Sequence, residues 1–470
     1  VTPPDTDPST GTVAVVLAAG LGTRMRSSLP KVLHPMCGRP MIVYVLDAWA
    51  STEDGAAGGP PVVVYSPAVA AVADAVRDRA FPALQDEPRG TADAVRAALA
   101  AVSGDAREIL VLSGDVPLVT GADLDAILSA RREDDAAIAL ASVYAAEPAQ
   151  LGRVVRGEFG TVEAIVEAKD ATADELMGNE INAGLYAFDA AWLRRRIESV
   201  APSPTTGELY LTELVRLARD DGRIVSAVGF EDDGRFDGIN DRSQLAAAEW
   251  SLRVRLNEAH MRAGVTMRDP STVYLDWDVD LAPDVTLEPN VILRGATSVH
   301  EGSVIGAGSQ LVDARIGRGA RIWASVIESS TVEDGASVGP FSHLRPGSTV
   351  GAGAEVGNFA ELKNTHLGPG SKQHHVSYLG DAEIGERVNI GAGTITANYD
   401  GTRKHPTTIG DGAFIGVDTM LIAPIEIGER AKTGAGAIVT HSVPADALAY
   451  GVPARVHQPG AKSAAQEPSA

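Results

Sequence analysis

Cysteine occurs once in this chain of 470 residues, at Cys37. A lone thiol excludes an intrachain disulfide and any multi-cysteine metal site, so packing and hydrogen bonds must hold the fold. That economy fits a cytoplasmic setting. Aromatic residues are also few, at 5%. No apolar run approaches the roughly 20 residues that span a bilayer, so no membrane insertion is expected. Positive charge is in short supply: 40 basic residues face 62 acidic ones, for a formal net charge of -22. Such a surface argues against non-specific binding to nucleic acid or anionic lipid but allows local basic pockets for phosphates. The opening VTPPDTDPSTGT is Pro-rich and acidic and lacks the basic start of a signal peptide. Residues 1–12 read as a disordered N-terminus.

The second half is dominated by a period of about six residues. Aliphatic side chains recur at Val299 and Ile305, Val332 and Val338, Val350 and Val356, Ile384 and Ile390, and along Ile409, Ile415, Leu421 and Ile427. Glycine follows many of them, as at Gly306, Gly339, Gly357, Gly391 and Gly428. Each hexad reads as a short strand and a tight turn, and three hexads make one coil of a parallel β-helix. The pattern begins near residue 279 and ends near 440. The polar stretch TITANYDGTRKHPT interrupts it, and an insertion of that kind reaches toward a site or a neighbouring subunit.

The first half has a different rhythm. The apolar run VAVVLAAG opens it, and further strands are expected over 61–65, 108–112, 136–143 and 181–188, with helices over 40–50, 68–80 and 91–103. Alternation of this kind predicts an α/β domain with a mostly parallel sheet, whose ligands sit beyond the carboxyl ends of the strands. The loop AAGLGTR fits neither the dinucleotide fingerprint nor the P-loop. Its small residues nevertheless allow close backbone approach to phosphates, and Arg24 and Lys31 can offset phosphate charge; a tight structural turn is the competing reading. Asp115, in LVLSGDVPL, is either a ligand for a divalent cation or a solvated turn aspartate.

The run LAAGLGTRMRSSLPKVLH, residues 17–34, resembles the signature of sugar-1-phosphate nucleotidylyltransferases. Joined to the hexads, it makes residues 13–455 similar to the bacterial bifunctional N-acetylglucosamine-1-phosphate uridylyltransferase/glucosamine-1-phosphate N-acetyltransferases. The resemblance implies an α/β nucleotidyltransferase (Rossmann-like) domain followed by a left-handed parallel β-helix of hexapeptide repeats. It implies a UTP site at Leu17, Ala18, Gly20 and Lys31, with Arg24 and Lys31 on the phosphates and Gln85, Gly90 and Thr91 on the uracil. Asp115 and Asn240 would hold one or two Mg2+ ions. Gly152, Glu167 and Asn182 would contact N-acetylglucosamine-1-phosphate.

For the second half, the resemblance implies that His375 is the base for acetyl transfer from acetyl-CoA. Arg345, Lys363, Tyr378 and Asn389 would bind glucosamine-1-phosphate. Asn398, Tyr399, Lys404, Val417, Ala435 and Arg455 would serve the acetyl-CoA side, and Lys404, coming from the next subunit of a homotrimer, would also clamp the sugar phosphate. Without that resemblance, His375 beside His374 reads as a surface or structural histidine. The chain departs from the family pattern at Ser113 and Leu151, where tyrosine is usual, at Ser66-Pro67 and at Val417, which replaces a serine.

The implied boundaries are 13–241 for the uridylyltransferase domain, 242–263 for a linker helix, 264–456 for the β-helix and 457–470 for a disordered tail. The helix pattern rests on Leu245, Ala248, Leu252, Leu256 and Ala259, with Gly264 as its stop. At 1.5 Å per residue such a helix is roughly 30 Å long and would separate the two sites.

Overall fold

The computed structural model describes residues 11–148 and 151–458; the expected disordered ends lie mostly outside them. The chain forms two compact units that divide between Leu252 and Arg253.

In the first unit the strand Thr12–Leu17 is the hub. It pairs in parallel with Val62–Tyr65 on one side and Glu108–Ser113 on the other. Phe81–Leu84 extends the sheet beyond Val62–Tyr65. Beyond Glu108–Ser113 come Glu180–Asp189, Ile138–Tyr144 and Val225–Phe230. Glu180–Asp189 runs antiparallel to both neighbours. The hub strand reads as an unbroken apolar run because both its faces are covered: Val15 belongs to one core and Val16 to the other.

Helices form at Met41–Ala50 and Thr91–Leu99, close to expectation. The expected helix over 68–80 is shorter: a 3-10 turn at Pro67–Val69 and a helix at Ala71–Ala75. The edge strand Phe81–Leu84, unforeseen from the sequence, claims the chain, with the Phe81 N-H donating to the Pro61 carbonyl at 2.8 Å. Four parallel strands thus end along one edge of the sheet, which brings the segments after Leu17, Tyr65, Leu84 and Ser113 together.

The helix Arg242–Arg262 contributes to both units. Leu245, Ala248 and Leu252 pack with Met36, Met41 and Leu118; Leu256 and Met261 pack on the β-helix core. Gly264, at φ +104°, ends the helix, and the Val265 N-H returns to the His260 carbonyl at 3.0 Å. Cys37 is buried, and its N-H donates to Glu249 at 3.1 Å.

The second unit is the left-handed β-helix. Three sheets of twelve, ten and nine strands each take every third strand along the chain up to the last coil. One coil after another stacks in register, Leu287 on Ile305 and Ile305 on Ile322. The inward aliphatics form a single continuous core. Coiling starts at Thr266–Met267, earlier than the hexads suggest, and runs on through Leu448–Gly451. The first coils escape the pattern because no glycine follows their core residues Met267 and Leu275. Buried hydroxyls bond the backbone of the next coil, as where Thr365 donates to the Leu379 carbonyl at 3.0 Å.

Candidate active sites

Along the carboxyl edge of the first sheet lies a cleft of about 300 Å³, lined by Leu17, Ala18, Gly20, Lys31, Gln85, Gly90 and Thr91. Two glycines shape it. A Cβ on Gly22 (φ +58°) would lie 2.6 Å from Lys31 Cβ, so glycine lets the loop close over that side chain. On Gly90 (φ +126°) it would lie 2.4 Å from the Leu209 carbonyl oxygen, where the helix Thr91–Leu99 begins. The buried Ser66 hydroxyl donates to the Ala19 carbonyl at 2.9 Å and anchors the loop from the neighbouring strand.

A second cavity of about 220 Å³ shares Ser113 and Asp115 with the first and is also lined by Asn182 and Asn240. Lys31 sits at the junction. It forms an ion pair with Asp115, and its Nζ lies 3.1 Å from Asn240 Oδ1. One cation is therefore held between two oxygens that come from distant parts of the chain. Among the described residues no cluster of three or more acidic, histidine or cysteine ligands exists. A pair of hard oxygens beside a phosphate-sized cleft fits Mg2+, which takes few protein ligands and completes its shell with phosphate and water. Arg24 is exposed on the 3-10 turn Thr23–Met25, outside both linings.

Gly152, Glu167 and Asn182 form a neighbouring cluster. A Cβ on Gly152 would lie 3.6 Å from Glu167 Oε2, and the Asn182 N-H donates to the Gly152 carbonyl at 2.9 Å. Asn182 Nδ2 donates to the buried Tyr186 hydroxyl at 2.6 Å, while its Oδ1 accepts from the Gly184 N-H. The Thr212 hydroxyl donates to Glu167 at 3.1 Å. Burial, reinforced by the charges of Asp170 and Glu208, raises the Glu167 pKa against that hydrogen bond. Tyr186, Thr212 and Asp93 were not singled out from the sequence, because each becomes part of a site only through a neighbour.

A stability consequence follows from Glu167. Its folded pKa lies above the unfolded one, so the folded state carries no penalty below the unfolded pKa and a full one once pH has risen through the folded pKa. Glu167→Gln keeps an acceptor for Thr212 and is expected to raise Tm by roughly 2–4 °C at pH 8, with no gain at pH 4. Scanning calorimetry at the two pH values checks this. A lower Tm at pH 8 would contradict it.

In the β-helix, Arg345, Lys363 and Tyr378 lie on successive coils of the ten-stranded sheet. Arg345 pairs in register with Lys363, and Glu361 with Tyr378. Arg345 also bonds Glu361 at 3.0 Å. A Cβ on Gly380 would strike both the Tyr378 hydroxyl and Asn398 Nδ2, so this glycine lets the two polar groups converge. Asp381 accepts from Asn364 at 2.9 Å and from Asn398 at 2.5 Å. The adjacent Lys363 lowers the Lys404 pKa, partly offset by Asp381. Lys404 thus faces Lys363 within one chain. The insertion carrying it is a tight turn built on Asp400, whose carboxyl is held down at about 2 by the Arg403 N-H and by His405. The exposed Tyr399 donates its hydroxyl to the Gly401 carbonyl at 2.7 Å.

His375 and Asn389 stand elsewhere. Asn389 belongs to the twelve-stranded sheet, and exposed His375 lies on the turn between that sheet and Ser377–Gly380. Below it, the same turn on later coils carries Val417 and Ala435. Hydrogen bonds join these turns: Gly393 N-H to Val376 O, Asp418 N-H to Ala392 O and Gly436 N-H to Val417 O. His375, Val417 and Ala435 therefore share one ridge, spaced by about 4.8 Å per coil. Arg455 lies farther along on Ala454–His457, paired with Tyr450. Of the four residues expected to bind the amino sugar, Arg345, Lys363 and Tyr378 lie on the ten-stranded sheet and Asn389 on the twelve-stranded one; the expected base His375 lies on the turn between them.

The fold and clefts define a nucleotidyltransferase domain joined to a hexapeptide-repeat transferase. Family models agree: the MobA-like NTP transferase domain matches residues 14–179 and the bacterial transferase hexapeptide (six repeats) matches residues 406–441. Curated proteins named Bifunctional protein GlmU are similar over nearly the whole chain. That of Shouchella clausii is 41% identical over 93% of this chain and 96% of its own. Those of Heliobacterium modesticaldum and Kineococcus radiotolerans are each 44% identical, over 93% and 95% of this chain and 94% and 91% of their own. The chain belongs to the GlmU family of bifunctional proteins. Among solved structures, a CMP:2-keto-3-deoxy-manno-octonic acid synthetase complexed with CTP matches 52% of this chain and 99% of its own, at 18% identity and a TM-score of 0.39, too slight a likeness to bear on function.

Proposed function

We propose that the chain makes UDP-N-acetylglucosamine, a bacterial cell-wall precursor, by two transfers. The β-helix moves an acetyl group from acetyl-CoA to glucosamine-1-phosphate. The α/β unit then joins N-acetylglucosamine-1-phosphate to the uridylyl group of UTP. The observation that carries this reading is family membership over nearly the whole chain, with Lys31 in the cleft of the first unit and Arg345, Lys363 and Lys404 gathered in the second, where anionic substrates must sit.

In uridylyl transfer, a phosphate oxygen of the sugar attacks the α-phosphorus of UTP, the bond to the β-phosphate breaks, and pyrophosphate leaves. Both reactants are anionic, so alignment and neutralisation supply the catalysis. Lys31 brings positive charge to the phosphates, and Arg24 adds charge from the rim. Gln85, Gly90 and Thr91 seat the base; Gly152, Glu167 and Asn182 seat the sugar. Asp115 and Asn240 would hold Mg2+, which when bound neutralises phosphate charge.

In acetyl transfer, the sugar amine attacks the thioester carbonyl and the C-S bond breaks. His375 takes the amine proton, and CoA leaves as the free thiol. Arg345, Lys363 and Lys404 attract the sugar phosphate, with Tyr378 and Asn389 completing its contacts. Asn398, Tyr399, Val417, Ala435 and Arg455 line the coenzyme side. The division of these residues between two faces supports a homotrimer in which neighbouring copies complete each site.

The test is one coupled assay. Thiol release must depend on glucosamine-1-phosphate, and pyrophosphate release must require UTP, Mg2+ and N-acetylglucosamine-1-phosphate. Thiol release without dependence on the sugar would reduce the β-helix to an assembly element. Absence of pyrophosphate would make the first unit a binding scaffold.

A further inference from the structure

We infer that Asp93 sets which nucleobase the cleft accepts, by fixing the orientation of the Gln85 amide; this rests on the reading of the cleft as a nucleotide site. Both residues are buried, at 3% and 5% exposure. Gln85 Nε2 donates to Asp93 Oδ2 at 2.8 Å and reaches the Gly90 carbonyl oxygen at 3.3 Å. A glutamine amide can occupy either of two flipped orientations, and only its partners decide between them. Here both partners are acceptors, so the amide must turn its NH2 to them. Its Oε1 takes no partner among the described residues and is the group left for the cleft that Gln85 lines.

Asp93 must stay ionised for this to hold, and its surroundings see to that. Arg89 donates to its Oδ1 at 3.0 Å, and Arg96 pairs with the same oxygen. Burial alone would raise the carboxyl, yet hydrogen bonds from Gln85 and Arg89, with the charges of both arginines, hold it below the usual carboxylate value. At the same end of the cleft, the Gly90 N-H precedes the helix Thr91–Leu99 and takes no partner among the described residues. The cleft therefore offers the base one acceptor and one donor. Uracil presents a matching N3-H and carbonyl oxygen. Cytosine presents an unprotonated N3 and an amino group, which reverse both contacts.

The arginines also make the device switchable. In Asp93→Asn they retain Oδ1, leaving the new Nδ2 facing Gln85 at the shorter of its two contacts, 2.8 Å against 3.3 Å for the Gly90 carbonyl, which favours the flipped amide with its NH2 toward the base. The kcat/KM for pyrophosphate release is measured with UTP and with CTP, each with Mg2+ and N-acetylglucosamine-1-phosphate. The UTP:CTP ratio is expected to fall about ten- to a hundredfold in Asp93→Asn. Asp93→Ala, which frees the amide without forcing the flip, should show a smaller fall. A wild-type ratio in either variant, with its melting curve intact, overturns the inference, as does a wild type that does not prefer UTP. If Asp93→Asn does not fold, Asp93→Ala decides alone. If the wild type binds UTP but releases no pyrophosphate, the transfer reading fails while the same ratio, taken as Kd by calorimetry, still tests Asp93.

Discussion

Asp115→Ala is expected to slow pyrophosphate release by about 10²–10³-fold or more, while thiol release from acetyl-CoA continues at the wild-type rate. The carboxylate lies just past the strand Glu108–Ser113, at the junction of the two cavities. It is both the ion-pair partner of Lys31 and one of the two oxygens suited to Mg2+. Its loss removes one of the two oxygens proposed for Mg2+ and releases the lysine that Asn240 alone would then steady. Two neutralising groups are disturbed by one substitution, so the effect should exceed that of deleting a single hydrogen-bond donor. The residues proposed for acetyl transfer all lie in the other compact unit, so the second activity serves as an internal control for folding. Pyrophosphate release within tenfold of wild type would remove Asp115 from the cation site.

His375→Ala should lower thiol release by about 10²–10⁴-fold, the range for a general base, and leave pyrophosphate release unchanged. A further signature distinguishes it from a binding defect. Arg345 and Lys363 lie on the ten-stranded sheet, whereas His375 occupies the turn before it. The substitution should therefore reduce kcat and change the KM for glucosamine-1-phosphate little. Lys363→Ala should do the reverse, mainly raising that KM. Thiol release measured across glucosamine-1-phosphate concentrations separates the two. A His375→Ala enzyme with near-normal kcat would show that another group accepts the proton.

Family resemblance aside, the residues alone fixed the local features. Hexads with a following glycine dictate short strands and tight turns wherever they occur, because side-chain period and turn chemistry act over a few residues. The coils at Met267 and Leu275 escaped notice for the same reason: they lack that glycine. The loop AAGLGTR was likewise visible as a small-residue turn after the first strand, and Gly264 as a helix stop.

Tertiary structure decided which of these pieces meet. Lys31 meets Asn240 because the Ile239 N-H donates to the Asp115 carbonyl at 2.9 Å, just past the strand Glu108–Ser113, and Gln85 reaches Asp93 only through the turn at Gly90. In the β-helix, coil register put Lys404 beside Lys363 and set His375 on a ridge with Val417 and Ala435, apart from Arg345. Contacts between residues far apart in the chain depend on sheet order and register, which repeat over the whole domain and leave no mark in any short stretch of sequence.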